Sequence, residues 1–514
     1  MSVFTIYCHG TNSHRSRTDG EIVTEFSKRT PSPSCYILDG PGSGGTSDEE
    51  RKKNPTPGFY NPYSDRENKI LKSDRGEALR AMELEAQRLA ASTTHSRYRV
   101  PGAGESFEDL TRRQAIQREQ GVDISTPAGR RKFAEHAIGG MGWGQAPGYK
   151  PGGLKKVPTA FVSKGTGTGY GWDDNIAEAI AVIFDRMDPT SNKHIPRLTT
   201  LNLMGWSRGA VTCLRIANKL DEIMMTGSVN GGLRVNIFAV DPVAGWDAGL
   251  KLKDTKEVPG IVKNYIATLA MDERRGAFAP QDKERVEVLH PSQTNYAFLP
   301  FPGNHSTQVR KGGPEEVSAV ADVVWDLAFE FLQKHGTEFY GGFSELLSPP
   351  DLLTRYSGIR SHHQDYFALR SHGLKEALQG GFSARTFTGM NQSPQRVREC
   401  LDKYVPDSDY FVNAHHRALF KRQFPTVFRW AFDHPKSEQE SWVSCNSAVG
   451  EEIAKLRLSS LETSQWFDPL ITRCERPNGA KGDYGFILNY RKPSEADATT
   501  QLMIGAMLRM GFQL

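Results

Sequence analysis

The chain has 514 residues, with 64 lysines and arginines against 60 aspartates and glutamates, a formal net charge of +4, and 38% hydrophobic and 24% charged residues. This is the make-up of a globular protein with a sizeable core, long enough for two or more domains or one large domain with insertions. The near balance of charge removes bulk electrostatics as a basis for nucleic-acid binding. No run of about 18 apolar residues reads as a transmembrane helix. The start, MSVFTIYCHG, lacks the basic, apolar and cleavage regions of a secretory signal, so a protein made in the cytoplasm is expected. Cys8, Cys35, Cys213, Cys400, Cys445 and Cys474 are scattered, with no CxxC pair, and read as reduced thiols rather than a disulfide frame or a zinc site.

In chain order, VFTIYC (3–8) predicts a buried strand, followed by the loop His9-Gly10-Thr11-Asn12. From about 41 to 155 the chain is rich in Gly, Pro and charge, with one helical piece, GEALRAMELEAQRLAAS (76–92). This segment reads as a long insertion and a possible lid. VPTAFVS (157–163) predicts a strand, GTGTGYGW a glycine-rich loop, and Asp174 a cap for the helix NIAEAIAVIFDRM. Next come the strand LTTLNLM (198–204), the helix RGAVTCLRIANKL (208–220) and the strand LRVNIFAVD (233–241). A helix near 260–271, a strand RVEVLH (285–290), the extended piece YAFLPF (296–301) and a strongly apolar helix over 315–332 follow. Apolar strands alternating with helices predict an α/β fold: a mostly parallel sheet with helices on both faces. Beyond about 345 the pattern weakens, with helices expected at 394–403 and 416–432 and a folded tail in YGFILNY and TTQLMIGAMLRMGFQL.

The chemistry centres on Gly205-Trp206-Ser207-Arg208-Gly209. A serine between two glycines, after a strand and before an amphipathic helix, has the form of a nucleophile elbow; a plain Gly-Ser turn is the other reading. The hydroxyl needs a histidine to take its proton and an acid to hold that histidine, in the chain order Ser, acid, His. Asp241 ends a strand ahead of Pro242, with Asp247 as a rival. His290 and His305 both follow extended pieces, and spacing does not separate them. GTGTGYG departs from the dinucleotide fingerprint and lacks the G-K-S/T of a P-loop. His362-His363 with Asp365, and His415-His416, point apart as neighbours and read poorly as metal ligands. No cofactor or metal is expected.

Five segments, in order, resemble one family. VFTIYCHGTN is similar to its opening strand and loop, and GTGTGYGW to its glycine-rich segment. GWSRGA is similar to its GFSRGA elbow, IATLAMDERRGAFAP to its D-E-R-R segment, and FLPFPGNHST to its F-P-G-x-H-S loop. The family is the α/β-hydrolase group that includes type VI secretion lipase effectors of the first phospholipase class. The resemblance implies a triad of Ser207, Asp241 and His305, which selects His305 over His290. It implies oxyanion donors at the backbone of Arg208 and in the Gly10-Thr11 loop. Trp206 stands where the family has phenylalanine and is expected to contact substrate. His9 replaces the family's aspartate, as a structural or an oxyanion-loop residue, and His305-Ser306-Thr307-Gln308-Val309 lacks the Asp and glycines that follow the family's histidine. Asp272-Glu273-Arg274-Arg275 reads as a salt-bridged scaffold rather than a headgroup site.

The implied activity is a phospholipase A, an antibacterial effector acting on phospholipid at a target-cell membrane. An immunity protein and a secretion spike carrier are the expected partners. The implied organisation is a catalytic core of 1–40 and 156–340, the insertion 41–155 and an accessory region 341–514. A small-ester carboxylesterase and a non-catalytic binding protein on the same fold are the competing readings.

Overall fold

The computed structural model describes most of residues 2–41 and 252–311. It also describes 172–187, 198–225, 232–245, 315–362, 365–366, 410–432, 440–444, 447–459, 471–475, 484–489 and 497–514. The elements in chain order are β1 (Ser2–Cys8), α1 (Ile22–Arg29), β2 (Cys35–Leu38), α2 (Trp172–Met187), β3 (Leu198–Trp206), α3 (Arg208–Met225) and β4 (Arg234–Val240). There follow β5 (Glu257–Val258), β6 (Val262–Ala270), β7 (Glu287–Val288), β8 (Asn295–Phe301), α4 (Glu315–Lys334) and α5 (Pro349–Ser361). The last are α6 (Ala414–Gln423), α7 (Pro425–Phe432), β9 (Glu440–Ser444), α8 (Ala448–Ser459), β10 (Ile471–Glu475), β11 (Tyr484–Asn489) and α9 (Asp497–Arg509).

The central sheet has six strands in the order β2-β1-β3-β4-β6-β8, and every pairing in it is parallel. Helices pack around it, so β3 and β4 are almost wholly buried, which is why they read as continuous apolar runs. The order reverses between β1 and β3: the chain steps from β1 outward to β2, then crosses back to β3. In open α/β sheets a crevice opens at such a switch, beyond the carboxyl ends of the strands. The Gly10 loop leaves β1 there, and Ser207 leaves β3 beside it.

Several expectations are corrected. Residues 262–270 form a strand between β4 and β8, not a helix. VKNYIATLA is short, β-branched and apolar, and periodicity alone does not separate a buried strand from a buried helix. RVEVLH shrinks to Glu287–Val288, paired with β5 outside the main sheet. The helix expected over 416–432 is two helices parted at Phe424, because Pro425 has no N–H to continue the first. Helix α2 begins at Trp172, which places Asp174 in its first turn rather than at its cap. The insertion with its helix at 76–92, the strand 157–163, most of the glycine-rich loop and the helix 394–403 lie outside the described residues. Elements α1, β2, β5, α5, β9, α8 and β10 are additional; α5 opens on Ser348-Pro349-Pro350, a cap followed by prolines at its first positions.

A row of amides runs across the sheet. Asn202, Asn236, Asn264 and Asn295 are partners in register on β3, β4, β6 and β8. Asn236 Nδ2 donates to Asn202 Oδ1 at 2.9 Å, Asn264 Nδ2 to Asn236 Oδ1 at 2.7 Å, and Asn295 Nδ2 to Asn264 Oδ1 at 3.0 Å. At one end Asn202 Nδ2 donates to Thr337 Oγ1 at 2.9 Å, and that hydroxyl bonds Thr5 of β1 at 2.8 Å. At the other, Arg509 Nε of α9 donates to Asn295 Oδ1 at 2.6 Å. A one-residue slip of any strand would turn its asparagine to the other face, so the row fixes register. Asn202 and Asn236 each stand five residues before Ser207 and Asp241, so the same register levels those two positions.

The tail closes the outer edge. Gln513 N–H donates to Glu330 of α4, Asn413 Nδ2 to the Pro300 carbonyl, and Arg422 to the Leu514 carbonyl. One hydrophobic cluster extends from Phe4 to Phe512. Under α5 and α6, Tyr356 stacks on His416 and bonds His415 Nδ1 at 2.7 Å. Burial lowers His415 to about 3 and drives His416 well below its ordinary value, so both are neutral core histidines.

Asn236→Ala strands the Asn202 oxygen and the Asn264 amide, both on inner strands. It is expected to cost about 2–4 kcal/mol in urea denaturation. Asn295→Ala, at the outer end, is expected to cost less.

Candidate active site

Ser207 has φ +58°, in the left-handed region that side chains rarely adopt. The two flanking glycines make that turn possible. A Cβ on Gly205 would lie 2.5 Å from the Gly209 carbonyl carbon, and one on Gly209 would lie 2.1 Å from the Cys8 carbonyl oxygen. Neither position has room for a side chain, and backbone is what blocks it. The turn is held by Ser207 N–H to the Val240 carbonyl at 3.0 Å, while the Ser207 carbonyl accepts from Ala210 and Val243. The turn has the strained strand-to-helix form that an elbow requires. The serine is 5% exposed at the head of α3.

Asp241 leaves β4 with φ +39° and is fully buried. Its Oδ1 accepts the Ala270 N–H at 2.9 Å, which fixes the carboxylate, and its Oδ2 lies 2.5 Å from His305 Nδ1. Two aromatic rings pack on the imidazole. Trp206, next to the serine, has its ring centroid 5.1 Å away at 31°, and Phe278 meets it edge-on at 4.8 Å and 81°. His305 is therefore beside the elbow and in the grip of the acid. An aspartate on Nδ1 sets the tautomer and leaves Nε2 as the nitrogen for proton transfer.

The β1 loop is equally close-packed. A Cβ on Gly10 would meet Trp206 Cε3 at 3.0 Å and Ser207 Cβ at 3.1 Å, so the β1 loop rests on the elbow. Behind it, a Cβ on Gly40 would fall 1.6 Å from the Gly10 carbonyl oxygen, and Gly40 N–H donates to Ser13, whose own N–H donates to Gly10. Arg208 opens α3, so its backbone N–H belongs to the positive end of the helix dipole. Its guanidinium is buried beside Gly245 and over Trp172, and burial lowers it to about 10.

His9 is a structural histidine: Nδ1 bonds Glu21 at 2.9 Å and Nε2 bonds Thr24 Oγ1 at 3.2 Å, tying β1 to α1. His290 is exposed, packs on Gly260 ahead of β6, and belongs to the opposite end of the sheet from Ser207. Asp247, Arg274 and Arg275 lie outside the described residues. His362 bonds Asp365 at 3.0 Å, and among the described residues no group of three or more His, Cys, Asp or Glu side chains is placed to hold a metal. Cys8 and Cys213 are buried free thiols. Among the described residues no helix is long and apolar enough to cross a membrane.

Sequence reasoning misses Gly40 and the use made of Asp272, Glu273 and Phe278, although those three lie in the IATLAMDERRGAFAP segment that resembles the family. Gly40 carries no local signal, because its constraint is the distant Gly10. The two acids belong to the D-E-R-R segment, but the loop they serve is about 30 residues further on. Gln308 is a further such residue: its buried Oε1 accepts from Thr268 Oγ1 at 2.6 Å, anchoring the His305 loop to β6.

A family model described as a domain of unknown function (DUF5621) matches residues 361–481. No curated protein matches the chain. Among solved structures, the chain is similar to an uncharacterized protein from Pseudomonas aeruginosa, at 14% identity and a TM-score of 0.33, over 99% of this chain and 62% of that one. It is also similar to the Tle1 effector bound to the VgrG spike from the type 6 secretion system, at 12% identity and a TM-score of 0.21, over 69% of this chain and 54% of that one. The chain thus spans less than two thirds of the length of either.

The proton between His305 and Asp241 is buried in a short charge-assisted bond. It is expected to resonate well downfield of the backbone amides in a proton NMR spectrum and to vanish in Asp241→Ala. A wild-type spectrum without it contradicts the geometry.

Proposed function

We propose that the protein is a serine ester hydrolase in which Ser207, His305 and Asp241 form the catalytic triad. The observation that carries this reading is the Asp241–His305 bond at 2.5 Å, set beside a serine at φ +58°. His305 Nε2 takes the Ser207 proton as Oγ attacks the ester carbonyl. The developing oxyanion is received by the backbone N–H of Arg208 and by the Gly10-Thr11 loop, donors worth about 3–4 kcal/mol each in a transition state. The tetrahedral intermediate expels the alcohol, which takes the proton from His305 and leaves an acyl-Ser207. Water, deprotonated by the same nitrogen, releases the acid and restores the serine. Asp241 keeps Nδ1 protonated and stabilises the imidazolium formed twice per cycle.

The substrate class we infer is the acyl ester of a membrane phospholipid, a phospholipase A activity in an effector carried on a secretion spike. The five ordered motifs of the chain support it. Trp206, part of whose surface is exposed next to Ser207, is proposed to contact the substrate.

Fatty-acid release from mixed phospholipid vesicles tests this. Wild type is expected to release fatty acid, and Ser207→Ala to fall by more than about 10³-fold. Cleavage of short-chain esters alone would replace phospholipid by small esters as substrate. Silence on both would overturn the hydrolase reading in favour of a binding protein on this fold.

A further inference from the structure

The loop that carries His305 is gripped at consecutive points by the segment leaving β6. Met271 N–H donates to the Phe301 carbonyl at 2.8 Å. Asp272 and Gly303 bond twice: Asp272 N–H to the Gly303 carbonyl at 2.9 Å, and Gly303 N–H to Asp272 Oδ2 at 2.8 Å. Glu273 Oε2 then accepts the backbone N–H of His305 itself at 3.1 Å. Both carboxylates are buried, Asp272 at 8% and Glu273 at 4% exposure. Gly303 sits at φ +97°, so the loop turns sharply there and the grip begins where its backbone is least ordinary. Beyond the histidine, Asn304 Oδ1 accepts from Ser306 and Thr307, which shapes the loop internally without tying it to the sheet. On the inward side the Gln308–Thr268 bond anchors it again.

A buried carboxylate costs free energy unless its oxygens are bonded. Glu273 Oε2 accepts the backbone N–H of the residue that bears the proposed base, a point of the loop beyond the one that Asp272 holds. What Glu273 adds is local: it fixes the peptide from which the imidazole springs. Asp241 fixes Nδ1, Trp206 and Phe278 confine the ring, and Glu273 fixes the backbone N–H.

We propose that Glu273 is a positioning residue for His305, acting by the reach of its carboxylate oxygen to that N–H. The inference rests on the hydrolase reading above. Reach and charge separate cleanly by substitution. Glu273→Gln keeps an acceptor oxygen at the same distance and removes the charge. Glu273→Asp keeps the charge and withdraws the oxygen by about one methylene, roughly 1.3 Å. A misplacement of that order at a catalytic group costs up to about 10²-fold.

The experiment measures kcat and KM for a short-chain ester in wild type, Glu273→Gln, Glu273→Asp and Glu273→Ala, with Ser207→Ala as the control and thermal unfolding alongside. Glu273→Gln is expected to stay within about threefold of wild-type kcat. Glu273→Asp and Glu273→Ala are expected to lose about 10- to 100-fold in kcat at unchanged KM. If Glu273→Ala fails to fold, the Gln and Asp pair decides alone. Loss in Glu273→Gln equal to that in Glu273→Asp, or wild-type kcat in Glu273→Asp, overturns the positioning role. Wild-type turnover that persists in Ser207→Ala, or a wild type silent on both the short-chain ester and phospholipid vesicles, overturns the hydrolase reading and this inference with it; a wild type active on vesicles alone has the same four variants compared on vesicles.

Discussion

The Cys8 carbonyl oxygen stands where a side chain at position 209 would have to be, and much of the site follows from that contact. With glycine at 209, the head of α3 can lie directly on the end of β1. With glycine at 205, the turn can fold over the same helix end. Ser207 is then forced to φ +58°, and Gly10 comes to rest against its Cβ. Backbone pressed on backbone, rather than side-chain packing, sets the distance between serine and β1 loop. A single methyl at Gly10, Gly40 or Gly209 would push them apart.

The sheet supplies the other half of the arrangement. The order of strands reverses between β1 and β3, where open α/β sheets carry a crevice, and Ser207, Asp241 and His305 all lie beyond carboxyl ends of strands of this sheet. Ser207 follows β3, Asp241 follows β4 and His305 follows β8. Strand β6, between the last two, contributes none of the three but braces two of them: the Ala270 N–H holds Asp241, and Asp272 and Glu273, just past the strand, hold the His305 loop. The asparagine row at the other end keeps those strands level, so the positions of Ser207 and Asp241 rest on bonds made far from them.

The serine and the acid are legible because their signals are local. The elbow is a five-residue pattern with its strand and helix on either side, and Asp241 announces itself as the last residue of an apolar run before a proline. His305 needs the ordered motifs, since spacing leaves it level with His290. The fold separates the two independently, by sending them to opposite ends of the sheet. Val262–Ala270 reads as a helix because a nine-residue apolar run with Asn and Thr has no decisive period; its strand character comes from β4 and β8 on either side. The asparagines are invisible as a row, because each is an ordinary polar residue in its own strand and the pattern exists only across strands. After residue 345, α6 and α7 run for only 10 and 8 residues, and the tail is tied to α4 through Glu330, so the signal within each stretch is weak.

The central claim is that His305, held by Asp241, makes the strained Ser207 a nucleophile. Covalent labelling by a fluorophosphonate, read by mass spectrometry of the peptide carrying the adduct, tests it whatever the substrate is. The account requires one adduct, on Ser207, formed at a rate that collapses in His305→Ala and falls in Asp241→Ala. An unlabelled Ser207 in the folded wild type, or labelling indifferent to His305, would contradict it.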